Sequence, residues 1–250
     1  MNPVKGTLSI VSHGHAALIY NLLDDLAGQT GITEWLIIVT INIPEEFKPL
    51  DGLNLRLVRN DVPKGFAANH NTAAVMAEGK LFLIINPDIR LAQSDTLERI
   101  AAADWNGPSP ALRAPVVVAP NGAIEDSVRA NLSAPNLLRR MLHRIPGWEA
   151  NPDGAGFFWL AGMFLIAPLA TFRAIGGFDE RFRMYCEDYD LSARWQVQGG
   201  RAEVLHDVRV IHDARRDSHG SWRHLRWHIR SLVRVWRSRV FWRIVVRRYP

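Results

Sequence analysis

Short apolar runs alternate with segments of helical period through the first half of the chain, the order expected of an α/β fold with a mostly parallel sheet. Thr7 to Ser12 predicts the first strand. From His13 to Ala27, Leu18, Leu22, Leu23 and Leu26 recur on one side of a predicted helix. Trp35 to Thr40 and Leu53 to Arg59 predict two more strands, and Phe66 to Glu78 a second helix. Leu81 to Ile85 is apolar at every position, which predicts a central strand buried on both faces. It stops at Asn86-Pro87-Asp88. Ligands of open α/β sheets lie beyond the carboxyl ends of the strands, so a polar site is expected at this tripeptide.

The second half has a different texture. Leu112 to Val118, a turn at Asn121-Gly122 and Ala123 to Val128 predict a hairpin, followed by a less regular stretch from Asn131 to Gly156. Trp159 to Ile166 predicts a strand, Leu169 to Ala174 a helix ended by Gly176-Gly177, Glu187 to Gln198 a further helix, and Ala202 to Ile211 a last strand.

Composition narrows the class. The chain has 250 residues, 48% hydrophobic and 22% charged, enough for a sizeable core and ordinary for a folded protein. One cysteine, Cys186, excludes a disulfide framework and a multi-thiolate zinc site, and fits a reducing cytoplasm. The first residues lack the pattern of a secretory signal, and no run is long enough to span a bilayer. The net charge of +5 divides unevenly: residues 214 to 250 carry eleven arginines and one acid, Asp217, so the remainder is acidic. A basic arm on an acidic body points to an anionic partner.

Three stretches carry candidate chemistry: Arg59-Asn60 with Gly65, Phe66 and Asn71; Asn86-Pro87-Asp88; and Gly176-Gly177-Phe178-Asp179-Glu180 with Tyr185, Glu187, Asp188, Asp190, Leu191 and Arg194. Together they resemble the family 2 glycosyltransferases of GT-A type, with the rhamnosyltransferase-like members most similar. The resemblance covers Thr7 to His212. It implies a GT-A fold, a Rossmann-like, mostly parallel central sheet flanked by helices, with residues 1–90 as the nucleotide-sugar half and 91–212 as the acceptor half. It further implies an inverting transferase in which an acceptor hydroxyl attacks the anomeric carbon as a diphosphate departs. Such a site needs a base on one side and charge neutralisation on the other.

The resemblance places Asp188 as the base with Glu187 beside it, and Asp88 with His212 as ligands of Mg²⁺ or Mn²⁺. Gly162, Asp179, Tyr185, Asp190 and Arg194 fall on the acceptor side. Ser12, His13, Thr40, Asn42, Asn60, Gly65, Phe66, Asn71 and Asn86 fall on the donor side. Plainer readings stand beside these: first-turn carboxylates also cap helices, Thr40 and Asn42 also form turns, and residues 69–71 also suit a solvated helix face. Where the family usually has two metal-motif aspartates, the first position here is Asn86, a neutral ligand. The family's acidic base-reading residue after the second strand is replaced by Val39-Thr40-Ile41-Asn42, which leaves dTDP- and UDP-sugars open as donors.

The basic tail, residues 213–250, predicts an amphipathic helix. Trp222, Leu225, Ile229, Leu232, Trp236 and Val240 form one stripe with Arg223, Arg226, Arg230, Arg234 and Arg237 beside it. Its expected partner is an anionic membrane surface on the cytoplasmic face, with packing on the catalytic domain or in a homodimer as alternatives. Nucleic acid is not expected, because it leaves Asp88 and Glu187-Asp188 unexplained. The expected acceptor is a saccharide or lipid-linked saccharide.

Overall fold

The computed structural model describes residues 3–143, 156–213 and 222–246. An eight-stranded sheet organises the chain. Its strands are β1 (Gly6–Ser12), β2 (Trp35–Ile41), β3 (Leu55–Arg59), β4 (Leu81–Ile85), β5 (Ile89–Arg90), β6 (Ala111–Val118), β9 (Phe164–Pro168) and β10 (Arg201–His212), in the order β3-β2-β1-β4-β9-β6-β10-β5. A two-stranded sheet pairs β7 (Val128–Ala130) with β8 (Phe158–Leu160). The helices are α1 (Ala16–Ala27), α2 (Phe66–Met76), α3 (Thr96–Ala102), α4 (Ala134–His143), α5 (Leu169–Ala174), α6 (Glu187–Val197), α7 (Trp222–Arg237) and α8 (Arg239–Val245).

The parallel block β3-β2-β1-β4 follows from the alternating pattern of the first half. β4 is buried at every position because its neighbours in sequence face opposite layers. Leu83 and Ile85 join the cluster under α1 and α3 with Leu22, Leu26 and Leu97, while Phe82 and Ile84 join the opposite cluster with Ala73, Phe172 and Trp195. β9 runs antiparallel between β4 and β6, and β5 antiparallel on the edge beside β10, so the sheet is mixed but mostly parallel.

Three expectations from the second half are corrected. The hairpin after Val118 reduces to one bridge, Val118 to Ile124, and Val128–Ala130 pairs with β8 instead. The run from Trp159 to Ile166 is two strands in different sheets, interrupted at Ala161 to Met163. The stretch beginning at Asn131, expected to be irregular, contains α4; its later part, 144–155, lies outside the described residues.

The described part of the tail forms two helices, α7 and α8, and its stripe divides. Leu232, Trp236 and Val240 turn inward onto a cluster with Phe182, Tyr189, Val235, Phe241 and Ile244, whereas Trp222, Leu225 and Ile229 stay exposed. The division falls within α7, and the helix then breaks at Ser238, whose hydroxyl accepts from the Phe241 N–H and caps α8. No helix among the described residues is long and apolar enough to cross a membrane.

Candidate active site

The interruption between β8 and β9 brings together the two ends of the candidate site. The Asn86 N–H donates to the Met163 carbonyl at 2.9 Å, and the Gly162 N–H donates to Asp188 Oδ2 at 2.9 Å. The Asn86-Pro87-Asp88 segment at the end of β4 is thereby tied through residues 162 and 163 to the first turn of α6. Acids a hundred positions apart in the chain belong to one edge of the sheet.

At the β4 end, Asp88 Oδ2 lies 3.2 Å from His212 Nε2, and His212 Nδ1 lies 2.6 Å from Glu125 Oε2. Burial alone pulls the His212 pKa down, but the hydrogen bonds and charges of Asp88 and Glu125 outweigh it and raise the value to about 9. Asp88 Oδ1 is buried without a hydrogen-bond partner. A buried, unsatisfied carboxylate oxygen is costly in isolation and is the hard ligand a divalent cation takes. Asp88 Oδ1 therefore fits Mg²⁺ or Mn²⁺, and His212 would join it as a ligand once Nε2 has lost its proton and released Asp88. Among the described residues no three His, Cys, Asp or Glu gather as a metal cage, so such an ion would complete its shell from substrate or water.

At the α6 end, the Asp188 carboxylate is held by two backbone donors, Gly162 N–H on Oδ2 and Tyr189 N–H at 2.9 Å on Oδ1. Burial raises its pKa against the lowering effects of the Arg129 charge and these N–H groups. Glu187, 7% exposed, is pushed up to about 8 by burial and then by the Asp188 charge, and its Oε2 has no partner. Tyr185 and Cys186 precede the pair with φ of 71° and 65°, the left-handed region that non-glycine residues rarely enter. Phe66 forms the adjacent wall, edge-on to His70 and Phe178 and beside Gly162.

Several residues expected at ligand contacts are hydrogen-bonded within the frame. Asn42 is buried, with all four hydrogen-bonding positions taken: its amide donates to His13 Nδ1 and the Lys64 carbonyl, and its oxygen accepts from Asn60 and the Lys64 N–H. As arranged, it presents no edge to a base, because its donors and acceptors are spent. Asn60 also donates to Asn69, and the Ser12 hydroxyl accepts from the His15 N–H, while His13 itself is exposed. Gly65 does permit a close approach, but of protein: a side chain there would meet the Arg183 carbonyl at 2.6 Å, and that carbonyl accepts from the Phe66 N–H.

Asn71 faces the Gly177-Phe178 turn: it donates to the Phe178 carbonyl and Glu180 and accepts from the Phe178 N–H. Asn69 and His70 are buried, not solvated. His70 bonds Ser9 and is depressed by burial to about 3, hence neutral. On the acceptor side, Asp190 pairs with Arg194 at 2.7 Å, and Arg194 donates to the carbonyls of Ile175 and Gly177. Burial works to raise Asp179, but its bonds to Arg181 hold it below the usual carboxylate range. These three residues brace the turn before α6.

Three residues at this edge escaped the sequence reading. Glu125 orients His212. Arg129, whose guanidinium lies 5.0 Å over the Trp159 ring, acts on Asp188 by charge. Glu45, four residues beyond β2, accepts from the first N–H of α1 through Oε2 and buries Oε1 without a partner. Glu45 and Glu125 lie in loops, and Arg129 in the three-residue strand β7, too short for a period to mark it. Thr40 Oγ1, at the end of β2, is likewise buried and unpartnered.

Solved structures of GT-A glycosyltransferases share this doubly covered, mostly parallel sheet. The chain is homologous to bacterial rhamnosyltransferases. It is 26% identical over 246 residues to rhamnosyltransferase WbbL of Escherichia coli K12, covering 90% of each chain. It is 28% identical over 144 residues to N-acetylglucosaminyl-diphospho-decaprenol L-rhamnosyltransferase of Mycobacterium tuberculosis, covering 52% of this chain and 46% of that protein, about half its length. Among solved structures, the mannosyltransferase PcManGT from Pyrobaculum calidifontis, in complex with GDP-Man and Mn²⁺, superposes with a TM-score of 0.59 at 18% identity, covering 94% of this chain and 65% of the other. No protein-family model matches the chain.

Proposed function

We propose that the protein is an inverting glycosyltransferase that moves L-rhamnose from dTDP-rhamnose to a saccharide or lipid-linked saccharide during synthesis of a bacterial surface polysaccharide. The observation that carries this reading is the tie between the Asp88 and Asp188 ends of the site through Asn86, Met163 and Gly162. The relatives support the sugar, since both are named for rhamnosyl transfer, and the mycobacterial name includes a lipid-diphosphate-linked sugar.

The acceptor hydroxyl oxygen attacks the anomeric carbon, the bond from that carbon to the diphosphate oxygen breaks, and the hydroxyl proton passes to the Asp188 carboxylate. Two backbone donors fix the orientation of that carboxylate, and burial strengthens it as a base whenever it is ionised. Glu187, protonated below about 8, leaves the pair with a single charge. Mg²⁺ or Mn²⁺ held by Asp88 and His212 would neutralise diphosphate charge. Phe66 and Gly162 shape the wall against the sugar. The exposed face of α7, with its arginines, is the contact with an anionic cytoplasmic membrane surface.

A thermal-shift screen against dTDP, UDP and GDP, with and without Mn²⁺, tests the donor site, because a ligand bound by the native state alone raises the midpoint. A Mn²⁺-dependent rise with dTDP is expected. A rise with UDP alone would move the donor to the UDP-sugars, and none with any nucleotide would overturn the assignment.

A further inference from the structure

Residues 182 to 185 each meet α7. The Arg234 guanidinium lies over the Phe182 ring at 5.6 Å, and the Arg183 guanidinium over Trp227 at 5.7 Å. Ser231 Oγ donates to the Met184 carbonyl at 3.0 Å, and the Tyr185 ring stacks on His228 at 4.4 Å with planes 19° apart. Cys186 follows, buried in one cluster with Val235, Phe241 and Ile244. This segment ends in the two left-handed residues and then the acid pair. Unfavourable backbone conformations persist only where their surroundings over-determine them, and here α7 supplies much of that constraint.

The other side of α7 is bare. Trp222, Leu225, Ile229 and Val233, spaced by three, four and four residues, are 80%, 50%, 53% and 44% exposed. Arg226, Arg230 and Arg237 run alongside, also exposed. An apolar stripe rimmed by arginines matches an anionic lipid surface, with the indole and aliphatic groups in the interface and the guanidinium groups among head-group phosphates. The helix thus has a lipid-facing side and a side that grips the segment leading into the base.

We infer that an anionic bilayer seated on the outer face of α7 tightens residues 182–186 and thereby sets Glu187 and Asp188 for turnover, so that the enzyme is most active where its acceptor resides. The inference rests on the reading of Asp188 as the base and of α7 as the membrane contact. By linkage, a surface that binds only the ordered helix stabilises every contact that the ordered helix makes, including those with Phe182 to Tyr185. No movement of the sheet is required.

Cys186 is the only cysteine and reports on this segment without donor or acceptor. The full chain is mixed with vesicles of phosphatidylcholine containing phosphatidylglycerol, or of phosphatidylcholine alone; co-sedimentation and the rate of Cys186 alkylation by iodoacetamide are then measured. With anionic vesicles the protein is expected to sediment and alkylation to slow by about fivefold or more, the range of ordinary coupling between sites. Neutral vesicles are expected to do neither. L225S/I229S is expected to lose both effects, and H228A to sediment while losing most of the protection.

Sedimentation with unchanged alkylation overturns the coupling. Absence of sedimentation, equal behaviour on neutral vesicles, or a concentration-dependent dimer abolished by I229S overturns the lipid surface as occupant. Nucleotide thermal shifts on the same samples separate these failures from failure of the donor site itself.

Discussion

Glu187 has a raised pKa and an unsatisfied buried oxygen, so its protonation is linked to stability. A carboxyl whose folded pKa lies above its unfolded value binds more protons in the native state. Stability then falls as pH rises from the unfolded value, near the ordinary 4.5, to about 8, and the full penalty persists above that. E187Q removes the titration. Thermal midpoints of variant and wild type are expected to be close at pH 4.5, with the variant more stable at pH 9, by on the order of a few kcal/mol. Equal differences at both pH values would contradict the buried, proton-holding role. Asp88, Glu187 and Asp188 stand out in the sequence as candidates because their types suit the chemistry and their positions match a known pattern. The role of Asn42 does not, since an asparagine that binds a base and one that staples a loop look alike until its partners are counted.

Among the elements, α2 and the turn before α6 are joined by Asn71 with three hydrogen bonds across more than a hundred residues of chain. Gly177 is required there by both its φ of +63° and the proximity of the Asn71 side chain. N71A leaves the buried Phe178 amide groups without their partner, so chemical denaturation should show a loss of about 1–3 kcal/mol. Donor affinity should stay within a few fold; a selective loss of nucleotide binding without loss of stability would restore the contact role. The strands and helices of the first half were readable because local period and burial agree. The split of β8 from β9 was not: Gly162 is the one residue from Trp159 to Ile166 that strongly disfavours a strand, and the long-range pairing of β9 with β4 and of β8 with β7 makes it a break rather than a bulge.

For the whole molecule, the C-terminal helices complete the body instead of hanging from it. Val235, Phe241 and Ile244 are each 4% exposed or less, and Trp236 Nε1 donates to the Leu132 carbonyl. A chain ended at Asp213 would uncover Phe182, Cys186 and Tyr189, an apolar surface beneath the acid pair. It is expected to aggregate, or to unfold at lower denaturant and alkylate rapidly at Cys186, whereas a separable tail would leave the midpoint unchanged. Amphipathic period predicts a helix here but not its partner, because an apolar stripe facing lipid and one facing a core have the same spacing.

Whether the two ends of the site serve one reaction is decided by measuring donor binding and sugar transfer separately in D188N. Calorimetric affinity for dTDP-rhamnose with Mn²⁺ should remain near that of the wild type, while transfer to acceptor should drop by roughly two to four orders of magnitude, the scale of a lost general base. Transfer within a few fold of wild type would show that the proton leaves by another route.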